Sequence, residues 1–243
     1  MRRLLLINPN TSSGVTALLH HHVQAALPGT TVKGVTARFG APYIADEASF
    51  AVAGHATLDA WAAALASQET PPDAVLIGCF GDPALLALRQ ASPVPVSGLA
   101  EAAMAQASRH GRFAIVTGGA RWQPMLERLA WSLGHAPALA GIQTVEPTGA
   151  ELAAHPAAAH HLLAQACQAC VSQWNAQAII IGGAGLAGMA TTLQTQIGVP
   201  LIDSVLAGAQ EVWHAPRPAR AEAGFDVPWT ALPDEMLALG SAQ

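Results

Sequence analysis

Residues Ala74-Val75-Leu76-Ile77-Gly78-Cys79-Phe80-Gly81 and Ala178-Ile179-Ile180-Ile181-Gly182-Gly183-Ala184-Gly185 carry one pattern twice, 104 residues apart. In each, a short aliphatic run ends at a glycine turn, which reads as a strand buried on both faces of a parallel sheet. A second pair, Val94-Pro95-Val96 and Val199-Pro200-Leu201, repeats at an offset of 105. Further upstream, Leu4 to Asn8 with its polar loop and helix resembles Ala114 to Gly118 followed by Arg121-Trp122, at an offset near 110. The near-constant spacing points to an internal duplication.

Working outward, short aliphatic runs alternate with long Ala-rich stretches of helical spacing, the signature of βα units. Strands are expected at Arg3–Ile7, Val32–Ala37, Ala74–Gly78, Val94–Ser97, Phe113–Thr117, Ile142–Val145, Ala178–Gly182 and Pro200–Ile202. Helices are expected at Ser13–Ala26, Glu47–Ala66, Pro83–Gln90, Glu101–His110, Arg121–Leu133, Ala150–Trp174 and Asp203–Trp213. Eight strands are too many for one small sheet. The expected fold is therefore α/β, with two pseudo-twofold lobes, each a four-stranded parallel sheet flanked by helices, around a shared cleft. Residues 1–97 with 208–243 are assigned to the first lobe and 98–207 to the second. The proline-rich segment from His214 onward reads as an arm with a terminal helix near Pro233 to Leu239, or as a partly disordered tail.

The 243-residue chain is 51% hydrophobic and only 11% charged, with a mean hydropathy of +0.33, which implies a large buried core. Its apolar runs fall short of the ~18 residues of a spanning helix. Met1 to Ile7 begins like a secretory leader, but Asn8-Pro9-Asn10 ends the run, so a buried strand and a cytoplasmic protein are expected. A net charge of −5, with 11 scattered basic residues, argues against nucleic acid as a partner. Three cysteines in such a chain are expected to be reduced thiols.

Ligands of parallel α/β sheets bind beyond the carboxyl ends of the strands. Four loops qualify: Asn8 to Ser13, Gly78 to Pro83, Thr117 to Ala120 and Gly182 to Gly188. Cys79 ends a strand between glycines and precedes Asp82-Pro83, which looks like an N-cap with proline at N1. On that reading the thiol faces a helix N-terminus. The dipole and the free N–H groups of Phe80 and Gly81 would then favour thiolate and hold a substrate anion. Asn10 and Thr11 in the first loop, Thr117 and Gly118 in its mirror position, and Gly183, Ala184 and Gly185 are candidate substrate-binding residues. Their alternative is ordinary turn and cap chemistry.

Other features read as structural. Cys167 and Cys170 lie inside an Ala-rich helix and are expected to pack. His20-His21-His22 and His160-His161 point in different directions around a helix, so a metal site is not expected and solvated surface positions are. The six tryptophans are expected in the core, and Glu47 and Glu101 as helix-start carboxylates. Gly182 to Gly188 superficially suggests a dinucleotide loop, but no acidic residue ends a strand at the required distance.

The segments Ile7-Asn8-Pro9-Asn10-Thr11-Ser12, Gly78-Cys79-Phe80-Gly81-Asp82-Pro83, and Gly182 to Met189 followed by Val199-Pro200-Leu201-Ile202-Asp203 resemble the Asp/Glu/hydantoin racemase superfamily, most closely its hydantoin and allantoin racemase branch. The resemblance covers roughly residues 1–213. It implies a cofactor-independent enzyme acting on a small molecule, with its site between two lobes and assembly into homo-oligomers. It also implies one cysteine on each side of the substrate carbon, one removing a proton and the other returning one. This chain departs from that pattern: Gly183 stands where such racemases carry the second cysteine. Cys79 alone is then the expected acid/base in proton transfer at the α-carbon of a small amino acid, carboxylate or hydantoin. The alternatives are a single-cysteine decarboxylase or isomerase of malonate-like acids, or a non-catalytic binding relative. Restoring a thiol by Gly183→Cys is expected to create or raise racemisation.

Overall fold

In the computed structural model, which describes residues 1–67, 70–148, 151–152, 155–215, 225 and 227–241, the repeated aliphatic segments pair with equivalent neighbours in two sheets. The chain runs β1 (Arg2–Asn8), α1 (Ser13–Ala26), β2 (Thr30–Thr36), α2 (Glu47–Ala66), β3 (Ala74–Ile77), α3 (Leu85–Ala91) and β4 (Val96–Gly98). Helix α4 (Leu99–Ser108) leads into β5 (Phe113–Gly118), α5 (Trp122–Ser132), β6 (Leu139–Val145), α6 (Pro156–Trp174), β7 (Ala178–Gly182), α7 (Met189–Leu193) and β8 (Leu201–Asp203). Helices α8 (Ser204–Glu211) and α9 (Asp234–Ser241) follow, and α9 packs on α2.

The strand orders are β2-β1-β3-β4 and β6-β5-β7-β8, all parallel. The expected duplication is thus present in topology and in register. Ile7 pairs with Ile77, which pairs with Gly98; in the second lobe Val116 pairs with Ile181, which pairs with Asp203. Leu4 to Ile7, Val75 to Ile77 and Ile179 to Ile181 are almost fully buried, because helices cover both faces of each sheet.

All eight expected strands form, and α1 and α2 have the expected bounds. Helix α2 is set by a capping box: Asp46 accepts the Ser49 N–H at 2.9 Å while the Ser49 hydroxyl accepts the Asp46 N–H at 3.1 Å. Elsewhere the boundaries move. Helix α6 starts at Pro156, with proline in its first turn; of the expected Ala150–Trp174 span, Glu151 and Leu152 are also helical, and residues 150 and 153–154 lie outside the described residues. Short helix α7 was not expected.

Two expectations about side chains fail. Trp61 and Trp122 are buried, but Trp131 is 76% exposed and Trp229 47%, so the tryptophans are not all core residues. His20 is not simply solvated either: it is half-buried, with Nε2 3.0 Å from the Val32 carbonyl oxygen. Cys167 and Cys170 are buried in α6, as packing requires. No described helix is long and apolar enough to cross a membrane.

The lobes meet through close contacts that only glycine permits. A Cβ on Gly182 would fall on the Phe80 ring, and one on Gly81 would lie 2.6 Å from the Trp122 ring. Each large aromatic ring of one lobe thus lies on a bare backbone of the other. Burying a ring of this size contributes about 1.5–3 kcal/mol. At the rim, Arg128 of α5 donates two hydrogen bonds to Glu47 of α2, at 2.7 and 2.9 Å.

Candidate active site

The cleft holds a cavity of about 270 Å³. That is close to the lower end of the ~300–1,000 Å³ range of ligand pockets and suits a metabolite-sized molecule. All four strand-end loops contribute to its wall: Asn10 and Ser12, Gly78 to Phe80, Thr117 and Gly118, and Gly182 to Gly185.

The first loop is built by asparagine. Asn8, fully buried at the end of β1, donates through Nδ2 to Asn10 Oδ1 at 2.9 Å and to the Ser12 carbonyl at 3.0 Å. Asn10 Oδ1 also accepts the Ser12 N–H at 2.9 Å, and the Ser12 hydroxyl caps α1 by accepting the Val15 N–H. Both the turn reading and the lining reading therefore apply to Asn10. Its Oδ1 is committed to the turn, and its amide N–H groups have no acceptor among the described residues. Thr11 is set apart: its N–H donates to the Ala41 carbonyl and it does not line the cavity.

The Cys79 loop differs from the sequence expectation. Asp82-Pro83 does not start the next helix; α3 begins at Leu85 behind Ala84, which is in the left-handed region at φ 64°. Asp82, itself at φ 52°, turns its buried carboxylate to α4 and accepts the N–H groups of Ala100 at 3.0 Å and Glu101 at 2.7 Å. The Cys79 carbonyl accepts the N–H groups of Gly81 and Asp82. The Gly81 N–H is thus used within the turn, and Gly81 lies beneath Trp122 and away from the cavity wall. The Phe80 N–H has no acceptor among the described residues.

These positions reverse the electrostatic expectation for Cys79. Cys79 is 7% exposed, and burial pushes the titration of its thiol far above the ordinary cysteine range, with the Asp82 charge adding to the shift. The resting group is the neutral thiol. Asp82 is itself pushed up to about 7, chiefly because it is buried; the two N–H donors pull the other way. Glu101 beside it is held by Arg89, at 2.9 Å, and neither Glu47 nor Glu101 lines the cavity.

The second-lobe wall is mostly backbone. Thr117 is buried at the end of β5, paired with Gly182. Gly183 has φ +142°, a conformation L-residues avoid, and donates its N–H to the Ser204 hydroxyl at 3.2 Å. Ala184 and Gly185 open a 3-10 turn at the cavity edge. Because of that φ, a cysteine at 183 is strained whatever space surrounds it, which withdraws the simple expectation that Gly183→Cys restores a second thiol in a working position.

The remaining wall comes from Gly14, Val15 and Leu18 of α1, Pro42, Tyr43 and Ile44 of the segment after β2, and Trp122. None of these was singled out as a site residue. The strand-end rule applied to β2 as well would have pointed to Tyr43, whereas Trp122 only becomes a wall residue once the lobes are docked. Among the described residues, no Asp, Glu, His, Lys or Arg side chain lines the cavity. Among the described residues no group of three His, Cys, Asp or Glu side chains could hold a metal ion.

Residues 4–212 match the Asp/Glu/hydantoin racemase family. The chain is 34% identical to a hydantoin racemase of Paenarthrobacter aurescens over 212 residues, covering 86% of this chain and 88% of that one. It is 32% identical to a hydantoin racemase of a Pseudomonas species over 210 residues, covering 86% and 83%. Among solved structures, allantoin racemase from Klebsiella pneumoniae superposes with a TM-score of 0.81 at 31% identity, covering 87% of this chain and 86% of that one.

Proposed function

The chain belongs to the Asp/Glu/hydantoin racemase family, and on that premise we propose that it is a cofactor-independent isomerase that moves a proton at C5 of a neutral, 5-substituted hydantoin, with Cys79 as an acid/base. The observation that carries the choice of substrate is the wall of the cavity. Among the described residues it offers a thiol, hydroxyls, an amide and backbone N–H groups, but no charged side chain. A free amino acid brings a carboxylate and an ammonium group, and burying either without a charged partner costs several kcal/mol. A cyclic ureide presents only neutral N–H and C=O groups, which the Asn10 amide and the Phe80 N–H can match. The apolar wall of Val15, Leu18, Pro42, Ile44 and Trp122 suits an alkyl or aryl 5-substituent.

The chemistry follows from the same groups. Cys79, as thiolate, takes the C5 proton, and the electron pair moves to the neighbouring carbonyl oxygen. N–H donors in a site shielded from water stabilise that oxygen as charge develops on it. Cys79 thiolate is scarce at neutral pH because burial raises its titration, but once formed it is a strong base. The decarboxylase alternative is less well served, since a malonate would place two carboxylates among backbone donors alone.

The test is to follow the optical rotation of a single enantiomer of 5-isobutylhydantoin with purified protein. Decay to zero faster than the buffer control is expected, with allantoin and glutamate as comparison substrates. Binding of the hydantoin, seen as thermal stabilisation, without any decay would favour a non-catalytic relative.

A further inference from the structure

Inverting a carbon centre by proton transfer needs a group on each face of the carbon, and among the described residues two titratable side chains line the cavity, Cys79 and Tyr43. The other polar side chains on the wall, Asn10, Ser12, Thr117 and Trp122, do not ionise in a working pH range. Tyr43 is the only tyrosine in the chain.

We propose that the Tyr43 hydroxyl is the second proton-transfer group of this site, acting on the face of the substrate carbon opposite Cys79; the inference rests on reading the site as a racemase. Tyr43 belongs to the first lobe, in the segment between β2 and α2, but its hydroxyl reaches the second. A Cβ built on Gly119 would lie 3.6 Å from the Tyr43 oxygen. Gly119 follows β5, whose Thr117 pairs with Gly182 beside Gly183. Cys79 instead follows β3 in the first lobe. The loop that carries the thiol thus belongs to one lobe, while the phenol oxygen lies against a loop of the other. The tyrosine is held on both flanks: the Ala41 carbonyl accepts the Thr11 N–H at 3.1 Å, and Ile44 is buried.

The proton balance closes with one negative charge shared by the pair. From one enantiomer, Cys79 thiolate takes the C5 proton and the Tyr43 hydroxyl gives its proton to the opposite face, leaving thiol and phenolate. From the other enantiomer, the Tyr43 phenolate takes the proton and the Cys79 thiol gives one. Exchange with solvent interconverts the two charge states.

The experiment is deuterium incorporation at C5 in D₂O, measured separately for each enantiomer of 5-isobutylhydantoin, with the wild type, Tyr43→Phe and Cys79→Ala. The wild type is expected to exchange both enantiomers. Tyr43→Phe, which removes one oxygen atom and keeps the ring, should retain exchange of one enantiomer and lower exchange of the other at least tenfold. Cys79→Ala should show the opposite preference. An equal effect of Tyr43→Phe on both enantiomers, or no effect, would overturn the assignment of Tyr43 while leaving the racemase reading intact. No exchange of either enantiomer by the wild type would overturn both.

Discussion

The Asp82 carboxyl group occupies the place that a side chain on Gly98 would take: a Cβ there would fall on its Cγ and carboxylate oxygens. In the second lobe the residue in the register of Gly98 is Asp203, since Ile77 pairs with Gly98 and Ile181 with Asp203. Asp203 caps α8 by accepting the N–H groups two and three residues on, from Val205 and Leu206. Asp82 accepts the equivalent pair, Ala100 and Glu101, from a neighbouring loop. Both lobes place a carboxylate at the same helix start, by different routes.

This relationship predicts a compensation. Asp82→Ala alone should destabilise the fold by about 1–3 kcal/mol, by orphaning the buried N–H of Ala100 and the half-buried N–H of Glu101. Gly98→Asp alone should also destabilise it, because two carboxylates would compete for one place. The double variant Asp82→Ala/Gly98→Asp should recover most of the loss, because the new side chain can cap as Asp203 does. Urea unfolding of the four proteins measures the coupling.

Asp82 also sets a pH dependence. Its folded-state titration lies near 7, above the ~4 of an unfolded aspartate, so folding favours its protonated form. Its contribution is fully present below about pH 4 and is lost as pH rises towards and through 7. Wild type should therefore lose stability relative to Asp82→Asn between pH 5 and 7.5. Thermal midpoints of the two proteins over that range check the sign.

The same charge opposes ionisation of Cys79, so Asp82→Asn should lower the pH at which the thiol becomes reactive. Peptide-resolved alkylation of Cys79 against pH reads this out. The buried thiols Cys167 and Cys170, pushed up to about 12, serve as internal references that should not move.

Gly183→Cys should cost about 1–3 kcal/mol through its backbone conformation. Its thiol is expected to add little racemisation. A large gain in activity with unchanged stability would show that the loop accepts a different φ at little cost.

The strands were legible because burial on both faces writes an unbroken aliphatic run, and the duplication because those runs recur at constant spacing. The strand-end rule likewise brought Asn10, Cys79, Thr117 and Gly183 to one cavity. What the sequence concealed is long-range. Asp82-Pro83 has the local form of a cap and proline start, yet its carboxylate serves a helix reached through another strand. Cys79 was expected to be favoured as thiolate by a local dipole, whereas burial and the Asp82 charge decide the opposite. Trp122 becomes a wall residue only when the lobes close, and no periodicity records that contact; Tyr43 follows β2, a strand end to which the rule was not applied.

The most direct test of Cys79 as the acid/base is deuterium incorporation at C5 of 5-isobutylhydantoin in D₂O, followed by proton NMR for the wild type and for Cys79→Ala, with folding of both verified by circular dichroism. The account predicts that the wild type exchanges the C5 proton and that Cys79→Ala abolishes exchange of at least one enantiomer. Undiminished exchange of both enantiomers by a folded Cys79→Ala protein would contradict it.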